Sequence, residues 1–258
     1  MRLFWVFFHK EVIEAARSYK WIWVPAVFLL LGVMQPVMMY YLPDILRASG
    51  ELPPEAAALI TTPPPEEIIA STLSQFSTIG LLVLVLSAMN IVAGERTSGT
   101  TEMILSRSSS VLTMMTAKWA ATMSLLLLSF ALGYAGAVYY TYQLIGPLEW
   151  GTLAGAGAVY AVWLAWIVTL LLPLGAVFRG PAAAFLSLGI AAALTLLASL
   201  LPSQLPWSPG RLSAIATAML TGESSPTFAP ALAAVLLIIL STVAASVLLR
   251  RRPLSAQA

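Results

Sequence analysis

The chain has 258 residues, of which 59% are hydrophobic and only 9% are charged, and its mean hydropathy is +0.89. Because charged residues make up about 25% of an ordinary soluble domain, this composition excludes a soluble enzyme and indicates an integral membrane protein. The formal net charge is +2, and the absence of cysteine excludes disulfides, a thiolate nucleophile and Cys-ligated metals.

The first predicted element is an amphipathic helix at the N-terminus. Apolar side chains recur there at helical spacing, and charged side chains lie on the other side, as in a helix that lies in the plane of a membrane surface. A simple interfacial anchor without a mechanical role is the alternative interpretation. The apolar set is Trp5, Phe8, Val12, Ala16 and Tyr19, and the charged set is Lys10, Glu14 and Arg17.

Six apolar stretches follow, and each has at least the roughly 20 residues that a membrane-spanning helix needs. They are continuously apolar, without the in-out alternation of barrel strands, and none contains Asp, Glu, Lys, Arg or His. We therefore predict an all-α membrane protein with a single transmembrane domain over residues 1–258. The predicted spans are residues 21–42, 69–93, 119–142, 150–177, 182–201 and 228–249.

The distribution of Lys and Arg predicts the orientation in the membrane. Eleven of the 13 basic residues lie in the N-terminal segment, the loops after the second and fourth spans, and the tail. The other side carries Arg47 and Arg211 with most of the carboxylates. We expect both termini in the cytoplasm, and the Pro-rich residues 52–67 outside the cell membrane.

The predicted spans lack the residues that membrane enzymes and proton-driven carriers use. The one histidine, His9, lies outside them, and neither H-E-x-x-H nor G-x-S-x-G occurs. Proton-driven carriers usually bury Asp, Glu or His, whereas sodium coupling through backbone carbonyls needs no charge and stays open. Residues 94–100 have P-loop glycine spacing, but Thr100 stands where the phosphate-binding Lys belongs. We predict no catalytic residue, metal ligand or resident cofactor.

A charged, hydroxyl-rich island, "GERTSGTTEMILSRSSSVLTMMTAKW" (residues 94–119), separates the second and third spans. Hydroxyl residues can cap a short helix over residues 100–107. Such a helix, with an apolar tip and a charged rim, is suited to docking into a groove on a partner protein; a solvated loop with an incidental helical turn is the alternative. The tip is Met103, Ile104 and Leu105, and the rim is Glu102 and Arg107.

The island resembles the first cytoplasmic loop of ABC type-2 exporter permeases. In that family a Glu-Arg-like pair and a Gly-Thr precede a short helix, a Ser/Pro-rich break and a Lys that enters the next span. "FHKEVIEAARSYKWIW" is similar to the family's opening amphipathic helix, and "LPWSPGRLSAIATAML" looks like its external Ser-Pro segment with short re-entrant helices, here within residues 202–227. The chain departs from the pattern at Ser108, where many members have Pro.

The resemblance implies a permease subunit that forms the substrate pathway with a second copy or a paralogue. A coupling helix within residues 97–108 would dock onto a separate ATP-binding cassette subunit that holds ATP and Mg²⁺, and the N-terminal elbow helix would also touch it. Lipids are expected partners and nucleic acid is not. The expected coupling residues are Glu95, Arg96, Gly99, Thr100, Glu102, Met103, Ile104, Leu105 and Arg107, and the elbow residues are Lys10, Glu11 and Arg17.

A secondary transporter or channel without a nucleotide-binding partner is the main alternative, and an assembly or anchoring protein is a third. Polar residues inside the spans are candidates for the pathway lining, although such residues also join neighbouring helices for about 0.6 kcal/mol each. A G-x-x-x-G at Gly151 and Gly155 predicts close helix packing. The candidate pathway residues are Gln35, Ser74, Gln75 and Asn90.

Overall fold

A computed structural model describes residues 2–49, 62–97, 111–223 and 225–251. Within these ranges the chain is helical apart from short connections, and no strand occurs. In chain order the elements are α1 (Arg2–Arg17), α2 (Lys20–Ser49), α3 (Pro65–Gln75), a π-helix (Phe76–Gly80), α4 (Leu81–Ala88), α5 (Asn90–Thr97), α6 (Val111–Leu144), α7 (Trp150–Thr169), α8 (Leu171–Val177), α9 (Gly180–Leu200), a 3₁₀ turn (Pro209–Arg211), α10 (Leu212–Leu220) and α11 (Phe228–Arg251).

Six helical stretches of the described chain are long and apolar enough to cross a membrane. The first span is α2, the second runs from α3 to α5, the third is α6, the fourth is α7 with α8, the fifth is α9 and the sixth is α11. The predicted all-α architecture with six spans is therefore confirmed. Several helices are longer than predicted, and α6 begins at Val111 instead of residue 119. Hydropathy marks the part of a helix that suits hydrocarbon, whereas the hydrogen-bonded helix continues beyond it.

A tight turn separates α1 from α2. Ser18 Oγ donates a hydrogen bond to the carbonyl oxygen of Glu14 at 2.9 Å, and this satisfies one of the carbonyl groups at the end of α1. Tyr19 has φ of +55°, in the left-handed region that glycine usually occupies after a helix. The predicted apolar face of α1 therefore ends at Ala16, and Tyr19 belongs to the turn that starts α2.

The fourth span lies at the centre of the bundle. In its most apolar 18-residue window 56% of the residues are buried, compared with 28% in the fifth and sixth spans. A chain of aromatic rings connects the fourth span to the first three, with centroid separations of 5.0, 6.0, 5.4 and 5.2 Å. In order, these rings are Phe28, Phe76, Phe130, Tyr160 and Trp163.

The first and third spans approach each other most closely at two glycines. A Cβ atom on Gly32 would collide with the backbone of Gly133, and one on Gly133 would collide with the backbone of the first span. Within this chain, Gly151 and Gly155 do not form an approach of two helix backbones like that of Gly32 and Gly133. Gly151 has open space around it, and Gly155 meets only the flexible end of Met219. Small residues permit close packing, but which helix face meets a neighbour depends on the tertiary arrangement.

The predicted segment between the fifth and sixth spans contains one short α-helix, α10, after the 3₁₀ turn, within the part that the structure describes. Ser208 caps the turn, since its Oγ accepts a hydrogen bond from the backbone N–H of Gly210 at 3.3 Å. Leu212, Ile215 and Leu220 of α10 are buried. The helix packs against α7 and α3, so it closes one end of the bundle.

Candidate functional site

The ends of four spans meet α1 in a second hydrophobic core, here called the termini-side cluster. Its members include Val92, five residues before the described helix α5 ends at Thr97, and Val111, where the described structure resumes after residues 98–110. Its buried members are Val92 of α5, Val111, Met114 and Met115 of α6, Leu172 and Ala176 of α8, and Ala245 and Leu249 of α11; Phe7 of α1 packs against them.

The predicted coupling helix itself lies outside the described residues. Glu95 and Arg96 lie in α5, where their backbone is helical. The remaining coupling residues fall outside the described ranges: Gly99, Thr100, Glu102, Met103, Ile104, Leu105 and Arg107. Their docking role stays a prediction from sequence.

A buried ion pair joins α1 to α6. Lys118 Nζ lies 2.6 Å from Glu11 Oε1, and the two side chains are only 2% and 11% exposed. Lys10 lies 3.3 Å from the same carboxylate oxygen and 3.7 Å from Glu14. Because a buried charge is costly unless it is paired, this contact fixes the position of α1 along α6. Arg17, the third predicted elbow residue, is exposed at the end of α1.

Glu11 was predicted as an elbow residue, and Lys118 is the Lys of the island that enters the third span. Their contact was not predicted, because 107 positions separate them in the chain. The available signal was a basic residue within a long apolar helix, since such a residue requires a partner.

An inner cleft of about 70 Å³ opens beside this ion pair. It lies where α1 and the first turn of α2 meet the second and third spans. Its lining mixes charged, polar and apolar side chains: Glu11, Val12, Glu14, Ala15, Lys20, Trp21, Ser87, Ala88, Asn90, Ile91, Ala121, Thr122 and Leu125.

A polar contact inside the bundle stabilises the π-helix of the second span. The Tyr160 hydroxyl lies 2.9 Å from the carbonyl oxygen of Leu73 and 2.8 Å from the hydroxyl of Ser77. Leu73 lies in the last turn of α3, just before the π-helix interrupts the regular i to i−4 ladder, and its carbonyl oxygen also accepts a hydrogen bond from Ser77 Oγ at 3.0 Å. Turns of this kind within membrane and soluble helices often mark functional positions.

The four candidate pathway residues do not meet in one cavity. Ser74 is exposed and donates to the carbonyl oxygen of Ala70 at 3.1 Å, which agrees with a structural role. Gln35 and Gln75 are half-buried, and Gln75 Oε1 has no hydrogen-bond partner among the described residues. Asn90 lines the inner cleft, whereas the other three line neither that cleft nor the outer cavity described next.

An outer cavity of about 390 Å³ lies at the opposite end of the bundle, between the start of the second span, the start of the fourth span and α10. Glu66, Glu67 and Glu149 line it, and Thr152 Oγ1 donates to Glu149 Oε2 at 2.7 Å. In the described part of the chain, no three His, Cys, Asp or Glu side chains come together as a metal site. The cavity therefore forms an acidic mouth at the ends of the helices.

Comparison with known proteins supports the membrane assignment. No protein-family model matches the chain. It is 34% identical over 213 residues to the uncharacterized transmembrane protein YxlG of Bacillus subtilis strain 168, and the match covers 82% of this chain and 83% of that protein. The chain belongs to the YxlG family. The six apolar helices and this transmembrane relative together establish a multi-pass membrane protein.

Proposed function

We propose that the chain is the membrane-spanning permease subunit of an ATP-driven ABC exporter. The observation that carries this proposal is the termini-side cluster, which packs four span ends and α1 around the connections to residues 98–110. Those residues contain the island that resembles a coupling helix. A loop attached to a packed base can transmit a displacement, because close-packed side chains resist deformation.

The proposed mechanism is a rigid-body displacement at this base. A cassette subunit that moves residues 98–110 would pull on α5 and α6, and therefore on the second and third spans. The Glu11–Lys118 pair would carry α1 along with α6. ATP can drive such a change only through its differential affinity for two arrangements of the complex. The π-helix lies between the two ends of the second span, where a change of helical register would rotate one end relative to the other.

The chemistry of ATP belongs to the partner in this proposal. Thr100 stands where a P-loop has its phosphate-binding Lys, so the segment with Gly94 and Gly99 lacks the positive charge that binds the phosphates. We therefore assign ATP and Mg²⁺ to the cassette subunit and no catalysis to this chain. Both termini and residues 98–110 would face the cytoplasm, because most of the basic residues lie on that side.

The proposed pathway runs between two permease subunits. Ser71, Ser74 and Thr78 are exposed on the second span. Ser74 and Thr78 donate to carbonyl oxygens of their own helix at 3.1 Å each, and a pathway between subunits would give these exposed hydroxyls polar surroundings. The acidic outer cavity would lie at the external end of the same bundle.

Site-specific photo-crosslinking tests the proposal. A photoreactive residue at Ile104 should crosslink, in native membranes, to a protein that carries a P-loop, and the same residue at Ser255 should not. The captured protein should hydrolyse ATP faster when it is reconstituted with this chain. A crosslinked protein without nucleotide-binding activity would contradict the proposal. Export that continues without ATP and stops when the sodium gradient is removed would establish the secondary transporter instead.

A further inference from the structure

The inner cleft holds two hydrogen-bond donors that its other charged residues do not use. Glu11 is paired with Lys118 and Lys10. In contrast, the buried indole Nε1 of Trp21 has no hydrogen-bond partner among the described residues, and Lys20 forms no ion pair there. Buried donors are nearly always satisfied, and Trp21 is the one of the described orphan indoles, with Trp163 and Trp166, that lines this cleft, where an acceptor from a ligand could satisfy it.

The cleft lies at the level where lipid headgroups are expected. Lys20 and Trp21 form the start of the first span, and Asn90 and Ile91 lie near the end of the second. Trp23, two residues further along α2, is 38% exposed. Tryptophan and lysine are both favoured at the boundary between hydrocarbon and headgroups. A lipid headgroup at this level would therefore lie beside the cleft.

The charged side chains at the rim restrict the chemical class of ligand that the cleft can bind. Glu14 also lines the cleft, its side chain is 66% exposed, and its contact with Lys10 is long at 3.7 Å. A second carboxylate, Glu11, lies deeper. A purely anionic headgroup would meet these two carboxylates, whereas a headgroup that carries both a phosphate and an ammonium group would satisfy both sets of side chains.

We propose that the inner cleft binds the headgroup of a zwitterionic amine phospholipid, with its phosphate at Lys20 and Trp21 and its ammonium group at Glu14. The left-handed turn at Tyr19 positions the site, since it directs the first turn of α2 back against α1. Such a lipid would also hold α1 against the bundle. The proposal depends on the membrane location of the chain and not on the exporter assignment.

The test is lipid binding to the delipidated protein in detergent, followed by native mass spectrometry. The probes are dioctanoyl phosphatidylethanolamine, its phosphatidylglycerol and phosphatidylcholine counterparts, dioctanoylglycerol without phosphate, and free phosphoethanolamine. The variants are Lys20→Gln and Trp21→Phe, which keeps the ring but removes the N–H donor. Their matched controls are Arg47→Gln at the other end of α2 and Trp23→Phe.

We expect one phosphatidylethanolamine per chain, bound about tenfold more weakly by Lys20→Gln and Trp21→Phe, as for the loss of one hydrogen bond to a charged group. Both controls should bind like the unaltered chain. Glu14→Gln should reduce the preference for phosphatidylethanolamine over phosphatidylglycerol. Equal binding by all variants, or equal binding of dioctanoylglycerol, would overturn the site. If free phosphoethanolamine binds equally well, the site does not recognise a lipid. If phosphatidylglycerol is preferred, the site does not recognise a zwitterionic headgroup.

Discussion

The ion pair between α1 and α6 predicts that the loss of either partner lowers the stability of the folded chain. Glu11→Gln removes the carboxylate 2.6 Å from Lys118, whose side chain is only 2% exposed. Lys118→Met leaves a carboxylate that is 11% exposed and still has Lys10 at 3.3 Å. Breaking a buried pair by removing one partner costs about 3–5 kcal/mol. We expect both Glu11→Gln and Lys118→Met to approach that range, because each removes one partner of the buried contact at 2.6 Å.

The assay is reversible unfolding in mixed micelles, with the free energy of unfolding measured for both single variants and the double variant. Residues in direct contact show coupling energies of about 0.5–3 kcal/mol, so the double variant should be more stable than the sum of the single effects implies. Glu14→Gln is the control, because its exposed carboxylate should change the stability by no more than about 0.5 kcal/mol. Equal losses for Glu11→Gln and Glu14→Gln, or strictly additive single effects, would refute the reasoning.

Three further predictions concern the bundle and its orientation. Gly133→Ala should lower the free energy of unfolding in mixed micelles by at least about 1 kcal/mol, because the added Cβ would meet the backbone of the first span. The control Gly151→Ala has open space around it and should leave the stability unchanged, so equal effects of the two variants would contradict the packing. Tyr160→Phe should remove the hydroxyl contacts to the Leu73 carbonyl oxygen and to Ser77 Oγ beside the π-helix and cost about 1 kcal/mol in the same assay, and an unchanged stability would show that the contact is not needed. A cysteine at Glu223 should react with an impermeant thiol reagent added to intact cells and one at Ser109 should not, whereas the reverse pattern would invert the topology.

The spans could be predicted from sequence because the requirement is local. Each helix that crosses a membrane must satisfy its own backbone hydrogen bonds and present apolar side chains over its whole length. Hydropathy along the chain records that requirement directly, and it also marked the break between the second and third spans. The short helix α10 was expected only through the resemblance to exporter permeases.

The contacts between helices could not be predicted in the same way. The pair of Glu11 and Lys118 joins residues far apart in the sequence. Gly32 and Gly133 form the close approach, while the motif at Gly151 does not, because a pattern within one helix does not show which face meets a neighbour. The π-helix at Phe76–Gly80 carries no specific signal in the sequence, because hydroxyl-rich segments also occur in regular membrane helices. The inner cleft likewise depends on four elements coming together.

The proposed docking of residues 98–110 is tested most directly by one substitution at the predicted tip. Leu105→Asp would place a carboxylate in the apolar groove of the cassette subunit, where an unpaired charge is strongly unfavourable. The measurement is the ATPase rate of the cassette co-purified with the permease, compared with Ser255→Asp in the tail. We predict that Leu105→Asp loses the cassette and the stimulated ATPase activity while the permease still inserts, and that Ser255→Asp retains both. If both variants retain the cassette and full activity, residues 98–110 are not the coupling element.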